Sequence, residues 1–140
     1  MATGGLLRRV DAVTVPVPDL DEGLRFYAGV LGHRLNWRDD ARGQAGLALP
    51  DGLSELVLAT DVAYEPDWLV DDVAACVDVF LASGGELVAA PFDIPVGQVA
   101  VVRDPFGNAL VLLDLSKGTY TTDADGKVTG VRPPEAGNEN

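Results

Sequence analysis

Apolar and polar positions alternate with a period of two over residues 10–17, with Val13, Val15 and Val17 on one side and Ala12, Thr14 and Pro16 on the other. That period predicts a strand whose valines face a core. Pro16 has no N–H to donate and suits a strand end or edge. The period then changes: Leu20, Leu24, Tyr27, Ala28 and Leu31 recur at helical spacing and predict an amphipathic helix. Asp19 opens it with Glu22 at capping-box distance, and Gly32 is placed to close it in a left-handed cap. Residues 33–38, 45–50 and 54–60 then read as three strands, the last two parted by the turn signal Asp51-Gly52.

The same order recurs further along the chain. Residues 67–70 predict a strand, and Asp71 or Asp72 caps a helix with the apolar face Val73, Val77, Phe80 and Leu81, stopped at Gly84-Gly85. Residues 86–90, 98–103 and 109–115 are the following strands, and Asp104-Pro105-Phe106-Gly107-Asn108 is a tight turn between the last two. Cap and stop are equally far apart in both helices, so strand–helix–strand–strand–strand is written twice. Residues 119–131 predict a hairpin around Asp125-Gly126. Residues 132–140 carry almost nothing to pack and are expected to be disordered.

Composition narrows the function classes. Hydrophobic residues make up 47% of the 140, enough for a real core. Lys and Arg number 10 against 22 Asp and Glu, a net charge of −12. Such a surface repels phosphate backbones, which argues against nucleic acid and favours cationic small molecules. One cysteine excludes an internal disulfide. The opening residues lack a signal-peptide core and no apolar run reaches membrane-spanning length. These features predict a soluble, cytoplasmic protein with no membrane partner.

A duplicated βαβββ chain of this length resembles the vicinal oxygen chelate superfamily, the glyoxalase/bleomycin-resistance group. The likeness is carried by residues 15–32 (VPVPDLDEGLRFYAGVLG), 69–85 (LVDDVAACVDVFLASGG) and 101–114 (VVRDPFGNALVLLD). The resemblance implies an α+β fold in which two modules, about 8–60 and 65–115, form one domain over 8–115. Their strands make a curled mixed sheet around a cavity, with 116–131 a hairpin extension. It also implies a homodimer.

Metal-dependent members of that group hold a divalent ion with His, Gln or Glu on the inner strands. The resemblance places those ligand positions on Ala12, near Val57, on Tyr64 or Glu65, and on Val111. Three of the four are then apolar, and methyl groups do not coordinate a cation. No cofactor is expected, and the Glu55–Glu65 pair is the residual route to a divalent metal.

Among the other candidates, Glu65 and Asp67 share strand parity and are expected to point inward. Burial would raise the Glu65 pKa and fit it for acid–base work or for holding a cation. Thr14, Trp37, Arg38, Val57, Tyr64, Glu65, Phe92 and Val111 form the expected ligand-binding set, Phe92 in a loop after Pro91, with the aromatics supplying flat apolar area. His33 reads as a surface residue and Cys76 as core.

Two functions compete. One is metal-independent binding of an aromatic or cationic organic ligand, as in the antibiotic-resistance branch of the group. The other is an enzyme, either a metal-dependent lyase, isomerase or dioxygenase, or a metal-free catalyst with Glu65 as base. Whether the protein is an enzyme is left open by the residues.

Overall fold

The computed structural model describes residues 4–135. The first strand is β1 (Arg9–Pro16), as its alternation requires. Helix α1 (Leu20–Leu24) begins at Asp19, whose side chain accepts the Glu22 N–H at 2.8 Å. The helix does not continue in α form to Leu31. Arg25–Val30 is a π-helical stretch, and Leu31 N–H donates to Phe26 C=O at 2.9 Å, five residues back. The wider turn rotates Leu31 off the apolar stripe, leaving it half exposed. Leu20, Leu24 and Tyr27 stay on the stripe and pack with Ala45, Leu47 and Leu58. Gly32 (φ 84°) ends the segment in the left-handed region.

Three strands follow: β2 (Leu35–Asp39), β3 (Gln44–Ala48) and β4 (Glu55–Ala59). β2 and β3 are antiparallel, β3 and β4 are antiparallel, and β4 returns parallel to β1. The spatial order is β2-β3-β4-β1. In the β1–β4 register Val13 stands opposite Leu56 and Val15 opposite Leu58, which places those four on the α1 side.

The second repeat runs β5 (Glu65–Leu69), α2 (Val73–Ala82), β6 (Glu86–Ile94), β7 (Gly97–Arg103) and β8 (Ala109–Leu113), in spatial order β5-β8-β7-β6. Asp72 is the α2 cap, accepting the Ala75 N–H at 3.1 Å, while Asp71 pairs with Arg8 at 2.6 Å. Val73, Cys76 and Val77 are buried with Val70, Ala100, Val102 and Leu112, and Phe80 packs beside them. Leu81, expected on this face, is half exposed. Phe92, expected in a loop, lies inside β6. Pro91 punctuates the sequence, but β6 ends the strand order, where a missing N–H is tolerated. Its register with β7 slips twice, between Leu87 and Ala89 and between Ala89 and Phe92.

Strands β9 (Thr119–Thr122) and β10 (Val128–Arg132) pair beyond the two repeats, so Arg132 belongs to a strand rather than to a disordered tail. Residues 136–140 of that expected tail lie outside the described residues. The fold is α+β with the βαβββ order present twice. The chain divides into two compact units, one of Val10–Asp67 with Thr122–Thr129, the other of Trp68–Thr121 with the residues before Val10 and after Thr129. No helix among the described residues is long and apolar enough to cross a membrane.

Candidate functional site

The first unit's sheet has α1 on one face. Its other face is built from registered positions. Thr14 on β1 stands opposite Val57 on β4, Val57 opposite Gly46 on β3, and Gly46 opposite Trp37 on β2. A second row joins Ala12, Glu55 and Ala48. Ala12, Thr14, Val57 and Trp37 are all buried.

Asp67 on β5 meets this face. Thr14 Oγ1 donates to Asp67 Oδ2 at 3.1 Å. Burial pushes the Asp67 pKa from 3.8 up to about 7; the Thr14 hydrogen bond pulls the other way, and the negative charges of Glu65 and Asp11 add to the rise. Thr14 itself is 5% exposed. A carboxyl that is half protonated near neutral pH, bonded to a buried hydroxyl, is the chemically distinctive group of this face.

Glu55 is differently held. Asn36 Nδ2 donates to its Oε2 at 2.9 Å and Trp37 Nε1 to its Oε1 at 3.1 Å. Both donors reach it because the β2–β3 register slips between Leu35 and Trp37, a bulge that leaves Asn36 as the extra residue. The Trp37 indole lies across Gly46, and a Cβ there would run into Nε1 and Cε2. Gly46→Val is therefore expected to displace the ring and destabilise the protein by about 1–3 kcal/mol, read by urea denaturation.

Arg38 turns to the α1 side of the sheet: its Nη2 donates to Asp21 Oδ1 at 3.0 Å and its Nε to Asp40 Oδ1 at 2.8 Å. Glu65 opens β5 half-buried, whereas Tyr64 before it is 72% exposed. Phe92, half exposed on β6, and Val111, opposite Val101 on β8, belong to the second unit. His33 is half-buried, its Nδ1 3.1 Å from the Ala48 carbonyl oxygen. Cys76 is buried, and burial raises its thiol pKa.

Sequence parity brought Glu65 and Asp67 to the same side but assigned the chemistry to Glu65. The carboxyl whose pKa burial raises is Asp67, two residues further along β5. The signal that could have found it is the buried Thr14 across from it, the only polar residue on the alternate face of β1.

The metal positions implied by the resemblance do not form a donor set. Ala12 and Val57 bring only methyl groups, Glu55 is taken by Asn36 and Trp37, and no group of three or more His, Cys, Asp or Glu among the described residues is placed to hold an ion.

A chain that carries the βαβββ order twice, with the strand order β2-β3-β4-β1 in one repeat and β5-β8-β7-β6 in the other, has the architecture of the glyoxalase-like proteins. The glyoxalase-like domain family matches residues 12–113, and the chain belongs to that family. An uncharacterized protein of Mycolicibacterium smegmatis is 36% identical over 108 residues, covering 73% of this chain and 90% of the relative. Among solved structures, methylmalonyl-CoA epimerase from Mycobacterium tuberculosis superposes with a TM-score of 0.64 at 21% identity, over 81% of this chain and 92% of that one. A hypothetical protein from Bacillus halodurans gives 0.62 at 17% identity, over 76% and 93%. These two likenesses concern the fold.

Proposed function

We propose that the face of the first unit opposite α1 binds a small organic molecule without a metal, and that Asp67 is the group that selects it. The observation that carries this reading is the desolvated Asp67 carboxyl, bonded to Thr14 Oγ1 on the face that also carries the buried Ala12 and Val57. Apolar surroundings with one or two convergent polar groups suit a small ligand. Trp37 and the carboxylates suit one that is flat, cationic or both. A cation arriving at Asp67 restores the stabilisation that burial removes from the ionised form.

The test is a thermal-shift and calorimetric screen of aromatic and quaternary-ammonium metabolites at pH 6 and pH 8. A binder at about 100 times its Kd stabilises by about 2.7 kcal/mol. Cationic ligands are expected to bind more tightly at pH 8, where Asp67 is ionised, and to lose that pH dependence in Asp67→Asn. Binding that is indifferent to both pH and Asp67→Asn overturns the reading.

The same Asp67 pKa of about 7 supports a second reading, proton transfer on a bound substrate. It predicts turnover that Asp67→Asn abolishes while leaving ligand affinity within a few fold. Affinity and turnover lost together favour binding as the primary role of the carboxyl.

A further inference from the structure

The family match ends at residue 113, yet a segment beyond it is seated against the first unit. The turn Asp123–Lys127 is closed by its own hydrogen bonds: Asp123 N–H donates to Lys127 C=O at 2.9 Å and Gly126 N–H to Asp123 C=O at 3.1 Å. Asp123 Oδ1 accepts the N–H groups of Asp125 and Lys127 at 2.8 and 3.0 Å. A self-closed turn keeps its shape without help from its surroundings.

This turn lies along β2, the strand that ends the order of the first unit's sheet. Arg38 N–H donates to Gly126 C=O at 2.8 Å, and Arg38 forms a parallel bridge with Lys127. Lys127 Nζ donates to Asp40 Oδ2 at 2.6 Å, and Asp40 also receives Arg38 Nε. Those two hydrogen bonds, Lys127 first, hold the Asp40 carboxyl below its ordinary pKa. On the other side, Gly126 adopts φ +83°, and a Cβ there would come within 2.9 Å of Leu35 Cδ2. The turn therefore grips Leu35, Arg38 and Asp40, the residues that bracket Trp37.

We propose that Gly126 and Lys127 are positioning residues for Trp37. By fixing β2 on both sides of its bulge they keep the indole flat over Gly46 and its N–H on Glu55, a wall of the face that carries Asp67. The consequence for ligands rests on the binding reading above, but the seating of Trp37 does not.

The chain has two tryptophans, so Trp68→Phe gives a background in which fluorescence reports Trp37 alone. In that background Gly126→Val clashes with Leu35 and strains the turn. Lys127→Ala removes an exposed ion pair without steric demand. Acrylamide quenching of Trp37 is expected to rise roughly threefold in Gly126→Val, the behaviour of a locally opened segment, and to rise less in Lys127→Ala. Lys127→Arg is expected to restore protection. The pH dependence of stability that Asp67 confers is expected to persist in all three, which separates a displaced Trp37 from a collapsed face. Trp37 protection unchanged in both Gly126→Val and Lys127→Ala overturns the proposal. If Gly126→Val does not fold, Lys127→Ala decides by the same reading. Quenching is measured without ligand, so a failed ligand screen and an unmoved Trp37 are separate results.

Discussion

Asp67→Asn is expected to make the protein more stable at pH 8, by up to about 4 kcal/mol, and to leave it unchanged near pH 3. The folded carboxyl titrates at about 7, against an ordinary 3.8. Below about pH 4 it is protonated in folded and unfolded chains alike, and burial costs nothing. Between about pH 4 and pH 7 the folded chain retains a proton that the unfolded chain has released, so stability falls as pH rises. Above pH 7 the carboxylate is ionised in both states and the full desolvation cost is present, about 4 kcal/mol for this gap. Asparagine keeps the shape and the bond from Thr14 but cannot ionise, so the variant's profile should be flat where the native one declines. Urea denaturation at pH 4, 5.5, 7 and 8.5 measures both. Parallel profiles would mean that Asp67 is solvated, and the binding proposal would fall with it.

Asp114→Ala is expected to destabilise the protein by about 3–5 kcal/mol. Asp114 is 3% exposed. Its Oδ2 accepts the Val73 N–H at the start of α2 at 2.9 Å, and its Oδ1 accepts Gln98 N–H at 3.0 Å, Ser116 N–H at 3.2 Å and Ser116 Oγ at 2.7 Å. Burial pushes its pKa up, but the bonds from Val73, Ser116 and Gln98 together outweigh it and hold the carboxyl below its ordinary range. Alanine leaves two interior backbone donors without partners, each worth about 1–3 kcal/mol. A depressed folded pKa means the stabilisation is present above about pH 4 and disappears as pH falls through that lowered value. Chemical denaturation at pH 7 tests the size, and the native–variant difference should shrink as the pH is taken down through the lowered Asp114 pKa. A loss under 1 kcal/mol would show that the surrounding chain rearranges to supply new acceptors.

Period and punctuation made most of the fold legible. Val15 and Val17 marked the side that packs with α1, although the buried residues of β1 itself are Ala12 and Thr14 on its other face, and the matching distances Asp19–Gly32 and Asp71–Gly84 exposed the duplication. What escaped had local causes. Nothing in residues 25–31 distinguishes a π turn from an α turn, because both satisfy the spacing of Leu24 and Tyr27. Pro91 reads as an interruption, and only knowledge that β6 borders the sheet reverses that reading.

The candidate site was legible in part. Parity put Thr14, Val57, Glu65 and Asp67 on one side, but parity has no depth coordinate, so it could not tell which carboxyl was desolvated. Arg38 follows Trp37 and shares its strand, yet its partners Asp21 and Asp40 lie on the opposite side. Asp114 sits in the motif that carried the family likeness, but its role depends on Val73, 41 residues away in sequence.

The outer border of β6 has a consequence for crowding. A stray chain laid along it would find its ladder broken at Pro91 and its spacing thrown off at two slips of register, so strand-by-strand growth into ribbons stalls there.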